Sequence, residues 1–401
     1  MAHVAFFAIA DAGHVHPTLA VVEELVRRGH RVSYAAADEF ADRVALAGAR
    51  RVGYTATMKS FFGRDKASFA DRDRFAGTDL ARIQHGRLAE AVANLPTLAA
   101  EFDRDRPDLV VHSSPCWAAR LLAARWAVPT VRSVPTFAGN EHWSLGRNYG
   151  GDGSSAGLAA VHAGLGRLIE RLGVDLGADE FFTERGGRAT LVYLPRAFQP
   201  AGDTFDPRTH FVGPCLGPRG RHGRWQPPPA GSRLALVSLG TAYNNRPEFF
   251  RRCVDSFADT DWHAVIALGG GLDPAALGPL PGNVQAHPFV PQLDVLKRAD
   301  VFVSSAGMGS VMESLHAGVP VVAAPQMPEQ RANADRIVEL GLGARLDDVD
   351  ALARTVDAVT SDAGVRARVA DMRRQIDAAG GASAAADVVE LALEEARQPC
   401  T

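Results

Sequence analysis

Four cysteines are all the sequence has, Cys116, Cys215, Cys253 and Cys400, and no C-x-x-C pair occurs among them. That spacing signals neither a zinc site nor a disulfide framework, so reduced thiols and a cytoplasmic setting are expected. A charge excess of one sign is missing too. The net charge is −3 with 22% charged residues, which leaves no basic field for nucleic acid. No apolar run is long enough to span a bilayer: the opening MAHVAFFAIADAGH has a short one, without a basic leader or a small-residue cleavage site. It reads as a first buried strand, and no membrane partner is expected. Also lacking are a Walker lysine, a G-x-S-x-G elbow and any low-complexity tract, while Gly341-Leu342-Gly343 has no third glycine at dinucleotide spacing.

What is present is length and alternation. At 401 residues the chain exceeds what one core usually supports, and 46% hydrophobic content is that of a globular protein, so two domains are expected. Short apolar runs at 4–9, 31–36, 50–54, 109–112 and 130–134 read as strands, with helical spacing over 17–28, 40–47, 80–102 and 115–127 between them. Parallel strands need crossover connections and these are helical, so the first domain carries a parallel sheet. The stretch 55–79 reads as a loop. A second series follows, with strands at 234–239, 264–268, 301–304 and 320–324 and helices from about 246, 309 and 330. The α/β pattern predicts Rossmann-like domains at 1–213 and 233–380, joined by a Pro/Gly-rich linker at 214–232. A helical tail ends in 381–401, expected to pack back on the first domain.

Candidate chemistry sits at the strand ends. His14 follows the first strand beside Gly13, and an imidazole with a pKa of about 6.5 can take a proton from an acceptor hydroxyl at neutral pH. His16 reads as structural, and Asp11 is a candidate partner for His14. The segment from Ser305 through Ala306, Gly307, Met308, Gly309 and Ser310 joins a strand to a helix, where small residues let backbone amides approach a diphosphate and the helix N-terminus adds positive partial charge. Glu313, one turn on, can accept from ribose hydroxyls. Thr241 ends the strand at 234–239. Phe289, Val290 and Gln292 offer an aromatic face for a base, and Glu329 with Gln330 can read sugar hydroxyls. The acid pairs Asp71/Asp73, Asp103/Asp105 and Asp259/Asp261 have metal-binding spacing, but helix amides and hydroxyls can neutralise a diphosphate without a cation, so no metal is expected.

At these residues the chain resembles the macrolide glycosyltransferases, bacterial members of the UDP-glycosyltransferase family (glycosyltransferase family 1). The likeness runs over nearly the whole chain and is carried by HFVGP at 210–214, VPQLDVL at 290–296, AGMGSVMESL at 306–315 and NADRIVELGLG at 333–343. It implies a GT-B fold, two face-to-face Rossmann-like domains with an inter-domain cleft, and metal-free, inverting transfer of a hexose from a UDP- or dTDP-sugar. By position it implies His14 as base, Thr241 and Gly307 to Ser310 at the diphosphate, Phe289 at the base ring, Glu313 at ribose, and Glu329 with Gln330 at the sugar. No permanently bound cofactor is implied.

Three positions depart from the family. Ser113 stands where an aspartate usually orients the histidine, Ser305 where a histidine usually touches the diphosphate, and Phe289 where a tryptophan usually stacks on the base. An orienting aspartate can be worth orders of magnitude in turnover. The expected function is nonetheless transfer to a hydroxyl of a small hydrophobic acceptor such as a macrolide, polyketide or phenolic. The acceptor would lie against Phe61, Phe62, Phe75, Phe137 and Trp143. The alternative, motivated by Ser113 and Ser305, is a catalytically impaired nucleotide-sugar-binding auxiliary protein. Partners are expected to be the two small molecules, with the protein a monomer or homodimer.

Overall fold

The computed structural model describes residues 1–58, 77–150, 156–183, 186–217, 225–241 and 243–397. They form two compact units, one from the described residues of 1–217 and 379–397, the other from those of 225–378. The first carries strands β1 (His3–Phe7), β2 (Arg31–Ala36), β3 (Arg50–Gly53), β4 (Leu109–Ser113), β5 (Thr130–Val134), β6 (Ala189–Val192) and β7 (Thr209–Phe211). Its helices are α1 (Ala12–Arg27), α2 (Ala41–Leu46), α3 (Gly77–Phe102), α4 (Trp117–Trp126), α5 (Leu145–Tyr149) and α6 (Ala156–Leu172). The second carries β8 (Arg233–Ser238), β9 (Trp262–Ala267), β10 (Val284–His287), β11 (Val301–Ser304), β12 (Val321–Ala323) and β13 (Gly343–Arg345). Its helices are α7 (Pro247–Phe257), α8 (Gln292–Leu296), α9 (Met308–Ala317), α10 (Pro328–Glu339), α11 (Leu352–Ser361) and α12 (Ala363–Ala378); α13 (Gly381–Arg397) belongs to the first unit.

All strand pairings are parallel, in the orders β3-β2-β1-β4-β5-β6-β7 and β10-β9-β8-β11-β12-β13. Helices cover both faces, which is why the central strands are nearly unbroken apolar runs. Along β1 the faces alternate: Val4 and Phe6 pack with Val21, Leu25 and Val389 of α1 and α13, whereas Ala5 and Phe7 pack with Leu98, Trp117 and Leu165 of α3, α4 and α6. Both sheets reverse strand order once, between β1 and β4 and between β8 and β11. In open α/β sheets that reversal opens a crevice at the carboxyl ends of the strands, where ligands bind.

Several elements differ from the sequence reading. Helix α1 begins at Ala12, not at 17, because Asp11 caps it: its carbonyl accepts from His14 N and Val15 N, and its Oδ1 from Gly13 N at 2.7 Å. Pro17 thus lies inside the helix. Strands β7, β10 and β13 escaped notice because they are sheet edges, half-exposed and without an apolar run. The helical tail is broken at Asp362, whose Oδ1 accepts from Gly364 N, and at Gly380 and Gly381, both with positive φ. Helix α13 is tied to α1 by Arg28, which bonds Glu24, Asp387 and Glu390, and by His30, 2.9 Å from Glu390. No helix among the described residues is long and apolar enough to cross a membrane.

Candidate active site

In the first unit the candidate residues lie at the β1/β4 reversal. Because the Asp11 cap starts the helix early, His14 occupies the first turn of α1, where the helix N-terminus disfavours a positive charge. Its basicity is lowered chiefly by burial; the Asp11 carboxylate opposes this and the Arg87 guanidinium on α3 adds to it. The imidazole is therefore held neutral at neutral pH, the form a base needs. Asp11 bonds the backbone of Gly13, so it acts on His14 through charge. Nδ1 of His14 is buried with no hydrogen-bond partner among the described residues, and the same is true of Ser113 Oγ and Ser114 Oγ at the end of β4. β1 and β4 are neighbours, Phe7 pairing with His112, so these hydroxyls sit on the strand end next to the one that leads into His14. Arg87 went unnoticed in the sequence because nothing local marks an arginine on a long amphipathic helix as facing a histidine in another element.

His16 meets Arg43 and the edge of Phe40, a structural setting. Phe137 is only 4% exposed, stacked on Phe198 at 5.7 Å with Trp143 edge-on at 5.1 Å; Trp143 is the member of this cluster that reaches the surface. Phe61, Phe62 and Phe75 lie outside the described residues.

In the second unit the candidate residues lie at the β8/β11 reversal. β11 runs into a turn at Ser305, Ala306 and Gly307, and α9 starts at Met308 with Gly307 as N-cap and no side-chain cap. The first intrahelical bond is Val311 N to Gly307 O, which leaves the amides of Met308, Gly309 and Ser310 outside the ladder. Gly307 has an ordinary φ of −60, and a Cβ placed on Gly307 or Gly309 meets no atom within 4 Å. Neither backbone strain nor the protein's own packing explains this glycine pair. The bare amides and the open space beside them are what close approach of an anion requires.

The turn itself is held under strain. Ala306 is left-handed at φ 61, which costs a non-glycine residue about 1–2 kcal/mol. It is secured by Asn333 Nδ2 donating to its carbonyl at 2.8 Å and by Ser304 Oγ accepting its N–H at 3.2 Å. Ser305 is buried and donates to Leu239 O at 3.1 Å, tying this turn to the end of β8, so its hydroxyl positions the loop. Asn244 bridges Gly240 O and Gly269 O at 2.9 and 2.8 Å, and Thr241 is exposed beyond them. Asn244 and Asn333 were given no role in the sequence and Ala306 counted only as one small residue of the turn, because buried amides and a left-handed alanine leave no mark there.

Around the turn, Gln292 Nε2 donates to Glu313 Oε2 at 2.7 Å and lies 3.4 Å from Ser310 Oγ, fixing a carboxylate that is 2% exposed. Val290 is packed in the core and anchors Phe289, whose ring is 48% exposed and lies over Gly270. Glu329 and Gln330 open α10, and Gln330, which is buried, accepts from Gln326 N through its Oε1 at 2.8 Å. Of the acid pairs, Asp103 bonds Arg125 and Trp126, Asp105 bonds Arg31 and Asp261 bonds Arg233. Asp71 and Asp73 lie outside the described residues.

Residues 251–391 match the family model described as Erythromycin biosynthesis protein CIII-like, C-terminal domain. The chain is 42% identical to demethyllactenocin mycarosyltransferase of Streptomyces fradiae, over 99% of this chain and 87% of that one. It is 37% identical to oleandomycin glycosyltransferase of Streptomyces antibioticus, over 98% and 91%. Among solved structures it is similar to CalG4, the calicheamicin glycosyltransferase, with a TM-score of 0.85 and 39% identity over 99% of this chain and all of that one. Two parallel Rossmann-like sheets and full-length identity at this level agree: the chain belongs to the macrolide glycosyltransferases of the UDP-glycosyltransferase family, nucleotide-sugar-dependent glycosyltransferases of GT-B fold.

Proposed function

We propose that this enzyme transfers a sugar, with inversion, from a UDP- or dTDP-linked donor to a hydroxyl of a small hydrophobic natural product such as a macrolide, polyketide or phenolic. The relatives' names attach them to demethyllactenocin, oleandomycin and calicheamicin, which supports an acceptor of that class. The domain at 1–213, with 381–401, takes the acceptor, the domain at 233–380 takes the donor, and 214–232 links them. The observation that carries the donor assignment is the glycine pair with bare amides at the start of α9.

In the reaction, neutral His14 accepts the proton of the acceptor hydroxyl as its oxygen attacks the anomeric carbon. The bond from that carbon to the diphosphate breaks on the opposite side, and the released negative charge falls on the amides of Met308, Gly309 and Ser310. Those amides and the α9 dipole supply the stabilisation a cation would otherwise give, so transfer is expected to survive EDTA. Glu313 holds the ribose, Phe289 stacks on the base, and Glu329 with the Gln330 amide reads the sugar. Trp143 is the described aromatic residue best placed to meet the acceptor. Ser113 cannot supply the charge of an aspartate, and Asp11 offers a negative charge that favours the protonated form of His14. The buried, unpaired Cys116, Cys215 and Cys253 suit a reducing compartment, the cytoplasm.

The test is a mass-spectrometric assay of UDP- and dTDP-sugars against macrolide, polyketide and phenolic acceptors, with wild type and His14→Ala. Product from wild type alone is expected. Product from both removes His14 as base, and product from neither, with donor binding shown separately, turns the reading to the auxiliary binding protein.

A further inference from the structure

One buried amide joins the two turns that follow β8 and β9. Asn244 is 5% exposed, and its Nδ2 donates to Gly240 O at 2.9 Å and to Gly269 O at 2.8 Å. The second turn is shaped around that side chain. Gly269 and Gly270 are left-handed, at φ 69 and 75, and a Cβ would fall on Gly240 O at Gly269 and on Asn244 Oδ1 at Gly271. A Cβ on Gly270 would stand 2.7 Å from Phe289 Cζ, so the exposed ring of Phe289 rests against this turn.

The two bonds fix whole peptide planes. In a trans peptide the N–H points opposite to the C=O of the residue before it, and both of these peptides are trans. With Gly240 O and Gly269 O turned toward Asn244, the N–H groups of Thr241 and Gly270 are turned away from it. Neither makes a hydrogen bond among the described residues, and both residues are exposed. Asn283, just before β10, supplies the contrast. Its Nδ2 donates to Phe257 O at 2.7 Å and to Trp262 O at 2.8 Å, but the amide that follows Phe257 O, Ala258 N, is bonded to Asp255 O. At the amino ends of the strands an amide clasp serves packing. At the carboxyl ends of β8 and β9 it leaves bare donors, one of them under Phe289.

We infer that Asn244 is a positioning residue for the nucleotide, setting Thr241 N–H as a donor to the diphosphate and Gly270 N–H as a donor to the nucleoside beside Phe289. The inference rests on the reading of this unit as donor-binding. It adds that one side chain holds the diphosphate end and the nucleoside end in register, because losing it frees both peptide planes together.

The test titrates UDP and dTDP by calorimetry into the full chain as wild type, Asn244→Ala, Phe289→Ala, the double variant of these two, and Asn283→Ala, each checked for folding by circular dichroism. Spectra of ¹⁵N-glycine-labelled protein follow the Gly270 amide, identified by loss of its signal in Gly270→Ser. The tighter nucleotide is expected to bind about tenfold more weakly to Asn244→Ala, the order of one lost hydrogen bond. Asn283→Ala should lose thermal stability and keep wild-type affinity, which separates a packing role from a positioning one. The losses in Asn244→Ala and Phe289→Ala should combine to less than their product, as for residues that act through one turn. The Gly270 signal should move when nucleotide is added to wild type, and this decides the matter if Asn244→Ala does not fold. Wild-type affinity in Asn244→Ala, equal weakening in Asn283→Ala, losses that multiply in the double variant, or a Gly270 signal indifferent to nucleotide overturns the inference. If neither nucleotide binds to wild type, the donor reading falls and the inference falls with it, a result distinct from nucleotide binding that ignores Asn244.

Discussion

The two units run through the same strand order over six strands and differ in how much titratable side chain they bury. In the second, the buried polar residues are Ser238, Asn244, Ser304, Ser305, Ser314, Gln326, Gln330 and Asn333, all neutral, with Glu313 the single acid. In the first, Thr18, Ser33, Asn94, Ser113, Ser133, Thr190, Gln199 and Thr209 are buried in the same way, but five titratable or charged residues join them, His3, Asp79, Glu90, His112 and Arg132. Short neutral side chains fix backbone amides in place and do not change with pH. Buried titratable groups do change, and they set the proton affinity of their neighbours. The second unit, proposed to take the donor, is thus set mainly by fixed dipoles, whereas the first responds more to charge state.

The comparison is broken most severely at His14. His14→Ala is expected to lower kcat by about 10²–10⁴-fold, the usual worth of a positioned base. Affinity for the nucleotide diphosphate, measured by calorimetry, should stay as in wild type because the proposed phosphate donors belong to the other unit. Loss of both together would mean that the halves are not functionally separable.

The next effect concerns stability. His112 is buried in β4 and burial lowers its pKa to about 4. Between that value and the ordinary imidazole value of about 6.5, the unfolded chain binds a proton that the folded chain does not. Stability therefore rises with pH across this window and falls on acidification, by up to about 3 kcal/mol. Urea unfolding of wild type at pH 7 and pH 4.5, compared with His112→Leu, isolates the contribution: the variant should show the smaller loss. Equal losses would remove His112 as the source.

Gly309→Ala sharpens the contrast from the donor side. A Cβ there touches nothing in the protein and replaces a helical glycine, so thermal stability should rise by about 0.5–1 kcal/mol. The same methyl group stands over the diphosphate amides and should raise the donor KM about tenfold, a loss near 1.4 kcal/mol. A variant that gains stability and keeps its KM would mean that the glycine pair has no ligand to admit.

Which of these features could be seen in the sequence follows from how local they are. Central strands such as β1, β4, β8 and β11 stand out because burial on both faces demands apolar runs, and the 306–310 turn because glycines cluster at a strand-to-helix junction. Edge strands β10 and β13 carry no such run. Glu313 and Gln292 were each candidates in the sequence, but their 2.7 Å bond joins two helices and no spacing rule predicts it. The left-handed Ala306, secured by Asn333 from another helix, is invisible for the same reason. Asp11 before a helix is a capping signal; Pro17 drew the start of α1 too late, since proline favours the first turn and here stands beyond it.

The smallest effect is the most specific, because it depends on sign. His14 is raised toward protonation by Asp11 and lowered by Arg87, against a larger lowering by burial. Asp11→Asn keeps a competent N-cap, so the first turn of α1 persists, but the negative charge is gone. The imidazolium loses a stabilising neighbour, His14 stays neutral to lower pH, and the acid limb of the kcat/KM profile moves down. Arg87→Gln removes a repelling charge, the imidazolium becomes easier to form, and the acid limb moves up. Each displacement should be about one pH unit or less, as for charges that neighbour a group without bonding it. Glu329→Gln, in the neutral donor half, should leave the limb in place whatever it does to KM. Displacements in opposite directions cannot arise from loosened packing, which would move both variants the same way. If Asp11→Asn and Arg87→Gln shift the limb together, or neither moves it, His14 is not tuned by these two charges, and Ser113 must be replaced by some other means.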